Sequence, residues 1–71
     1  MMPLIVAPTG KDLRVTKVAA DDKTRRHLEN LGILTGATIV TLSESNGNVI
    51  LKIKDGRLAL DRQLAMKIFV A

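Results

Sequence analysis

Seventy-one residues allow one domain, with a core near the lower limit for unaided folding. The chain has no cysteine and one histidine, which excludes disulfides, thiolate metal sites, thiol redox chemistry and a multi-histidine zinc site within one chain. Phe69 is the only aromatic ring, which counts against base stacking on single-stranded nucleic acid, and the net charge is +4. That charge is compatible with nucleic acid, an anionic membrane face or an acidic protein patch. The basic residues run from Lys11 to Lys67 without bunching, so a solvated surface accounts for them equally well.

The start, Met1 to Pro8, is apolar but too short for a signal-peptide core and lacks a basic lead. No apolar run approaches the roughly 18 residues of a membrane helix, so a soluble cytoplasmic protein without membrane insertion is expected. Leu4-Ile5-Val6 reads as a short strand or an apolar strap across the core, and Pro8-Thr9-Gly10-Lys11 as a turn. A strand is expected from Asp12 to Val18, with Leu13 and Val15 on one face. Val18 breaks the alternation, and a β-bulge near Thr16-Lys17 would turn it back toward the core.

Asp21 or Asp22 is placed to cap a helix running from about Lys23 to Leu31. Leu28 and Leu31 stand three apart and share its buried face, while Arg25, Arg26, Glu29 and Asn30 face outward. Gly32 follows as a left-handed helix stop, and Gly36 opens a run rich in Thr, Ile and Val. Strands are expected at Thr38–Leu42 and Asn48–Lys54, joined by a hairpin at Asn46-Gly47, whose residues tolerate positive φ. Val49, Leu51 and Ile53 point inward, and Ile50 is an apolar exception on the outer face. A second tight hairpin at Asp55-Gly56 leads to Arg57–Leu60, with Leu58 and Leu60 inward. Asp61 caps a short helical turn, Arg62–Met66, that buries Leu64 or Ala65, and Ile68-Phe69-Val70 is the last strand. The expected core gathers Leu31, Val49, Leu51, Leu58, Leu60 and Ile68. Five to six short strands with tight hairpins and one helix predict a mainly β chain, a small curved barrel whose closure removes exposed sheet edges. Pattern alone does not separate an SH3-like barrel from an OB-fold.

Arg25-Arg26, Leu28, Leu31-Gly32-Ile33 and Gly36 before an alternating strand resemble the signature of the FeoA family. Asn46-Gly47-Asn48-Val49-Ile50, Asp55-Gly56-Arg57-Leu58-Ala59-Leu60 and Ala65-Met66-Lys67-Ile68-Phe69-Val70 stand where that family has its later strands and closing helix. The resemblance covers nearly the whole chain. It implies an SH3-like barrel with an inserted helix and an accessory role in bacterial ferrous iron uptake. The implied partner is the cytoplasmic region of FeoB, a membrane permease with a G-protein domain. Thr35 stands where the family often has Pro, and the short Ser43-to-Gly47 hairpin replaces a longer loop, as in a compact branch.

No constellation for catalysis or cofactor binding is present. Asp21-Asp22 reads as a helix cap. Ser43 and Ser45 have no histidine in register and no nucleophile elbow, and neither Thr35-Gly36 nor Asn46-Gly47 forms a phosphate loop. Glu44, Asp55 and Asp61 belong to turns. His27 is the one residue with ligand potential; it reads first as a surface histidine, and otherwise as part of a weak metal site completed by Glu29, Asp61 or another copy. No tight metal site within the monomer, no cofactor and no enzymatic activity are expected. Arg25 and Arg26, with Leu34 at the adjoining turn, form the candidate docking face; Arg57, Arg62 and Lys67 could extend its positive charge. Gly32, Gly36, Gly47 and Gly56 are the structural turns.

The reading that follows is an accessory module, monomeric or weakly oligomeric, that docks on a protein. The alternatives are a detached regulatory domain, resembling the C-terminal domain of iron-dependent repressors, and a basic nucleic-acid-binding barrel. No helix-turn-helix pattern accompanies either, and no nucleic-acid partner is expected.

Overall fold

The computed structural model describes residues 1–71. Six antiparallel strands form one sheet: β1 (Met2–Pro3), β2 (Leu13–Val18), β3 (Thr38–Ser45), β4 (Asn48–Ile53), β5 (Gly56–Asp61) and β6 (Ile68–Val70). Two helices, α1 (Asp22–Asn30) and α2 (Arg62–Ala65), are inserted between β2 and β3 and between β5 and β6. The spatial order is β1-β6-β2-β3-β4-β5. All strands but β1 contribute fully buried side chains to one apolar cluster, which Leu4, Leu28, Ile33 and Ala65 complete. This is the expected mainly β, SH3-like architecture.

Local chemistry explains most of the boundaries. The Asp21 side chain accepts a 2.8 Å hydrogen bond from the Thr24 amide and starts α1. Asp61 does the same for α2 through the Leu64 amide, also at 2.8 Å. Of the two candidates beneath α2, Ala65 is fully buried and Leu64 half-buried. The β2 bulge falls where expected. Val15 pairs with Val70 and Lys17 with Phe69, so Thr16 is the extra residue. The Thr16 hydroxyl donates to the Phe69 carbonyl, and Val18 packs on the core.

The end of α1 corrects the expected core. Leu31 is the C-cap and is only half-buried, although it stands three residues after the fully buried Leu28. Gly32 has φ +97°, and its amide donates to the Glu29 carbonyl while the Ile33 amide donates to the Leu28 carbonyl, both at 2.9 Å. This paired-bond ending satisfies carbonyls that the last helical turn leaves free, and it reverses the chain. Ile33, rather than Leu31, is thereby swung into the core, where it and Leu28 are both 0% exposed. Burying a side chain of this size contributes about 1.5–3 kcal/mol. Among the other expected core residues, Val49, Leu51, Leu60 and Ile68 are buried, and Leu58 is half-buried against the cluster.

Three further differences are local. Leu4–Val6 is a 3-10 turn following β1, with Leu4 inserted in the core and Val6 exposed. β3 runs on to Ser45, and a second bulge between Thr41 and Ser43 lets it follow β4 around the core. The second hairpin turns one residue earlier than expected: Ile53 pairs with Gly56, so Lys54 and Asp55 are the loop. The first hairpin has Asn46 and Gly47 both at positive φ, as its sequence requires. The sheet also keeps two edges, because β1 pairs only with β6 and β5 only with β4. The expectation that closure removes every edge is therefore not met.

Candidate functional site

The turn that leaves α1 supplies one wall of a groove of about 530 Å³. Leu34, two residues past Gly32, is 44% exposed and lines it. Val40 on β3 and Ile53 on β4 add apolar surface. Lys52, Lys54, Asp12 and Asp55 bring two positive and two negative charges to the same groove. The register explains why Val40 lies there. Ile39 and Thr41 alternate into the core, which leaves Val40 on the opposite face, where it pairs with Lys52.

Leu34 was legible as an exposed apolar residue at a turn. Val40, Lys52 and Ile53 were not read as site residues, because the groove exists only once β3 and β4 are in register beside the α1 exit. Val40 standing apolar on a solvent-facing strand position was the one signal available.

Arg25 and Arg26 are exposed on α1 and do not line this groove. Arg25 is paired with Asp22 one turn back, an exposed ion pair at the helix start. Such a pair contributes little and is readily exchanged for another partner. Arg26 makes no ion pair. Arg62 lies 3.4 Å from Glu44, also at the surface. Arg57 and Lys67 are exposed. The Ala19 amide donates to the Lys67 carbonyl, so the approach to α1 lies against the turn before β6.

His27 is exposed in the last turn of α1. No group of three or more His, Cys, Asp or Glu side chains is close enough together to hold a metal ion. Asp21 is the one carboxyl with a clear shift. Hydrogen bonds from the Thr24 side chain and then its amide hold it below the usual carboxylate range, with Lys67 and Lys23 adding to the effect. Its chemistry is that of a cap. Gly32, Gly36, Gly47 and Gly56 all have positive φ, and Gly32 and Gly36 bracket the segment that carries Leu34.

Residues 2–71 match the family model described as the FeoA domain. The chain belongs to the FeoA family. It is 36% identical over 70 residues to a Methanocaldococcus jannaschii protein named Fe(2+) transport protein A, covering 99% of this chain and 85% of that one. The crystal structure of an iron uptake regulatory protein, FeoA, superposes with a TM-score of 0.86 at 30% identity. That match covers 99% of this chain and 93% of the other. A manganese-dependent transcriptional repressor shares the fold, with a TM-score of 0.85 at 21% identity over 97% of this chain and 40% of the repressor. This FeoA-family chain is thus built on a fold that a repressor also contains. No helix is long and apolar enough to cross a membrane.

Proposed function

We propose that this FeoA-family protein is a non-enzymatic, cytoplasmic accessory module that docks on the cytoplasmic region of a FeoB-type ferrous iron permease and modulates it. The observation that carries the reading is the family match over residues 2–71. The α1 exit gives the reading a surface: Leu34 as an apolar anchor beside a groove, with Arg25 and Arg26 on the outer face of the preceding helix. The capped start of α1 and its hydrogen-bonded end hold that helix in place before any partner arrives, which limits the ordering cost of association. Arginine is enriched among interface hot spots, and the exposed Leu34 offers apolar area for a partner to cover. The proposed role for iron is as cargo of the permease rather than as a resident of this chain.

The test is a titration of the permease's cytoplasmic domain with the parent, Arg25→Glu/Arg26→Glu and Leu34→Ala. Both variants should bind at least tenfold more weakly and melt close to the parent, because all three side chains are exposed. Added salt should weaken the parent complex more than that of the charge-reversed variant. Equal binding by all three proteins places the docking surface elsewhere. A folded parent that does not bind removes the mechanism.

The fold likeness to a repressor supports a second reading, a detached regulatory domain. It would bind a separate DNA-binding and metal-sensing protein in place of the permease, and the same titration format distinguishes the two.

A further inference from the structure

The two edges of the sheet are unlike. β1 is two residues long and ends in Pro3, which has no amide hydrogen to offer. β5 runs unbroken from Gly56 to Asp61, pairs with β4 at every position without a bulge, and contains no proline. Proteins commonly blunt a strand edge with prolines, bulges or charges; β5 has no proline, bulge or inward charge, and its two exposed charges, Arg57 and Asp61, are of opposite sign.

Register fixes which groups β5 presents. The Arg62 amide donates to the Gly47 carbonyl, in step with the β4–β5 pairing, so Leu60, Leu58 and Gly56 aim their amides and carbonyls at β4. Arg57, Ala59 and Asp61 therefore aim theirs outward, along the free edge. The side chains of these three are also exposed, while Leu60 is buried and Leu58 half-buried on the inner face.

We propose that β5 is a self-association edge, occupied by β5 of a second copy of this chain in antiparallel, two-fold symmetric pairing centred on Ala59. A two-fold axis there sets Ala59 opposite Ala59 of the second copy, and Arg57 opposite Asp61 on both flanks. These are the residues whose backbone groups face the free edge, so the hydrogen-bonding register and the charge register coincide. A shift of the centre to Leu58 or Leu60 still pairs outward backbone groups with one another, but the arginine no longer faces the aspartate, so the charges select the Ala59 centre. The small side chain at the centre lets the two strands approach without a clash across the axis. The opposite charges at the flanks set the antiparallel register, as cross-strand pairs do within a sheet. An isologous contact of this kind closes on itself and yields a dimer, not a filament. It uses a face distinct from Leu34 and its groove.

Sedimentation velocity over a concentration series, with amide hydrogen exchange of Arg57 and Ala59, tests the proposal. The parent should dimerise reversibly, and both amides should become protected as the dimer fills. Arg57→Asp and Asp61→Lys each set like charges opposite one another and should each weaken self-association at least tenfold. Mixing the two variants restores an attractive pair on each flank and should recover a heterodimer of parental affinity. Ala59→Pro removes a central outward amide that the monomer does not use, and should abolish the dimer while the chain stays folded. That variant also serves if the loss of the α2 cap in Asp61→Lys prevents folding. A parent that stays monomeric up to about 1 mM overturns the proposal. So does a dimer that is indifferent to Ala59→Pro, or folded charge variants that fail to rescue each other.

Discussion

Replacing Thr41 by valine should stabilise this protein, against the usual direction of a core substitution. Thr41 lies on β3, faces the core opposite Leu51, and is 4% exposed. Its Oγ1 is buried and has no hydrogen-bond partner, the one such side-chain atom in the protein. An unsatisfied buried hydroxyl costs about 1–3 kcal/mol, whereas valine has almost the same shape and carries a methyl group where the hydroxyl stood. Both residues suit a strand, so the backbone contributes little to the difference. The backbone carbonyl of Thr41 keeps its 2.8 Å bond from the Gly10 amide in either case. A gain of about 1–2 kcal/mol follows, and in a domain of this size each kcal/mol raises Tm by about 4–8 °C. Urea denaturation should show a higher midpoint at unchanged slope. Thr41→Ser is the control: it keeps the hydroxyl, removes the buried methyl and should lower stability by about 1 kcal/mol. A Thr41→Val protein that melts at or below the parent would refute the reasoning, since the hydroxyl would then be making a favourable bond.

Two further outcomes follow from α1. Ile33→Ala should cost about 2–5 kcal/mol in chemical denaturation, as expected for a fully buried aliphatic side chain, whereas Leu31→Ala should cost clearly less because Leu31 is half-buried; equal losses would mean that both side chains sit in the core. Asp21→Ala should lower Tm at neutral pH by removing the bond to the Thr24 amide. The Asp21 carboxyl is held below its unfolded value, so its contribution is present above that value and is lost as pH falls through the lower, folded one. The Tm gap between parent and variant should therefore close as pH drops below about 4, and a gap that widens on acidification would contradict this sign.

What the sequence made legible was local chemistry with short range. Asp21 and Asp61 mark helix starts because an acceptor three residues ahead of a free amide is a property of four consecutive residues. The Asn46-Gly47 hairpin and the left-handed stop at Gly32 are equally self-contained. The broken alternation at Val18 located a bulge because a β-strand side-chain period of two cannot absorb an extra residue silently. Leu31 was misplaced for a complementary reason. Helical spacing assigns it to the face of Leu28, but the chain has already left the helix at that point, and Gly32 delivers Ile33 instead. The second bulge beside Thr41 left no break in the pattern, since Thr and Leu can stand on either face of a strand. The groove was the least visible feature, because it depends on which residues of β3 and β4 come to lie beside Leu34. The free edge of β5 likewise depends on a strand order that puts β6 in the interior of the sheet.

That strand order has a consequence for how the chain folds. β6 is the last element in sequence, yet it lies between β1 and β2, with Met2 paired to Val70 and the Arg14 and Ala71 backbones bonded to each other in both directions. Ile68 and Val70 are both fully buried. Until Val70 has emerged from the ribosome, β1 has no partner, β2 lacks one of its two neighbours and the core lacks two of its members. Folding of this domain is therefore completed only by joining segments more than 50 residues apart. Closing so long a loop before its contacts are rewarded places such topologies among the slower small domains, on the millisecond-to-second scale. A nascent chain truncated before Ile68 presents β2 with an open side and nothing of its own to fill it.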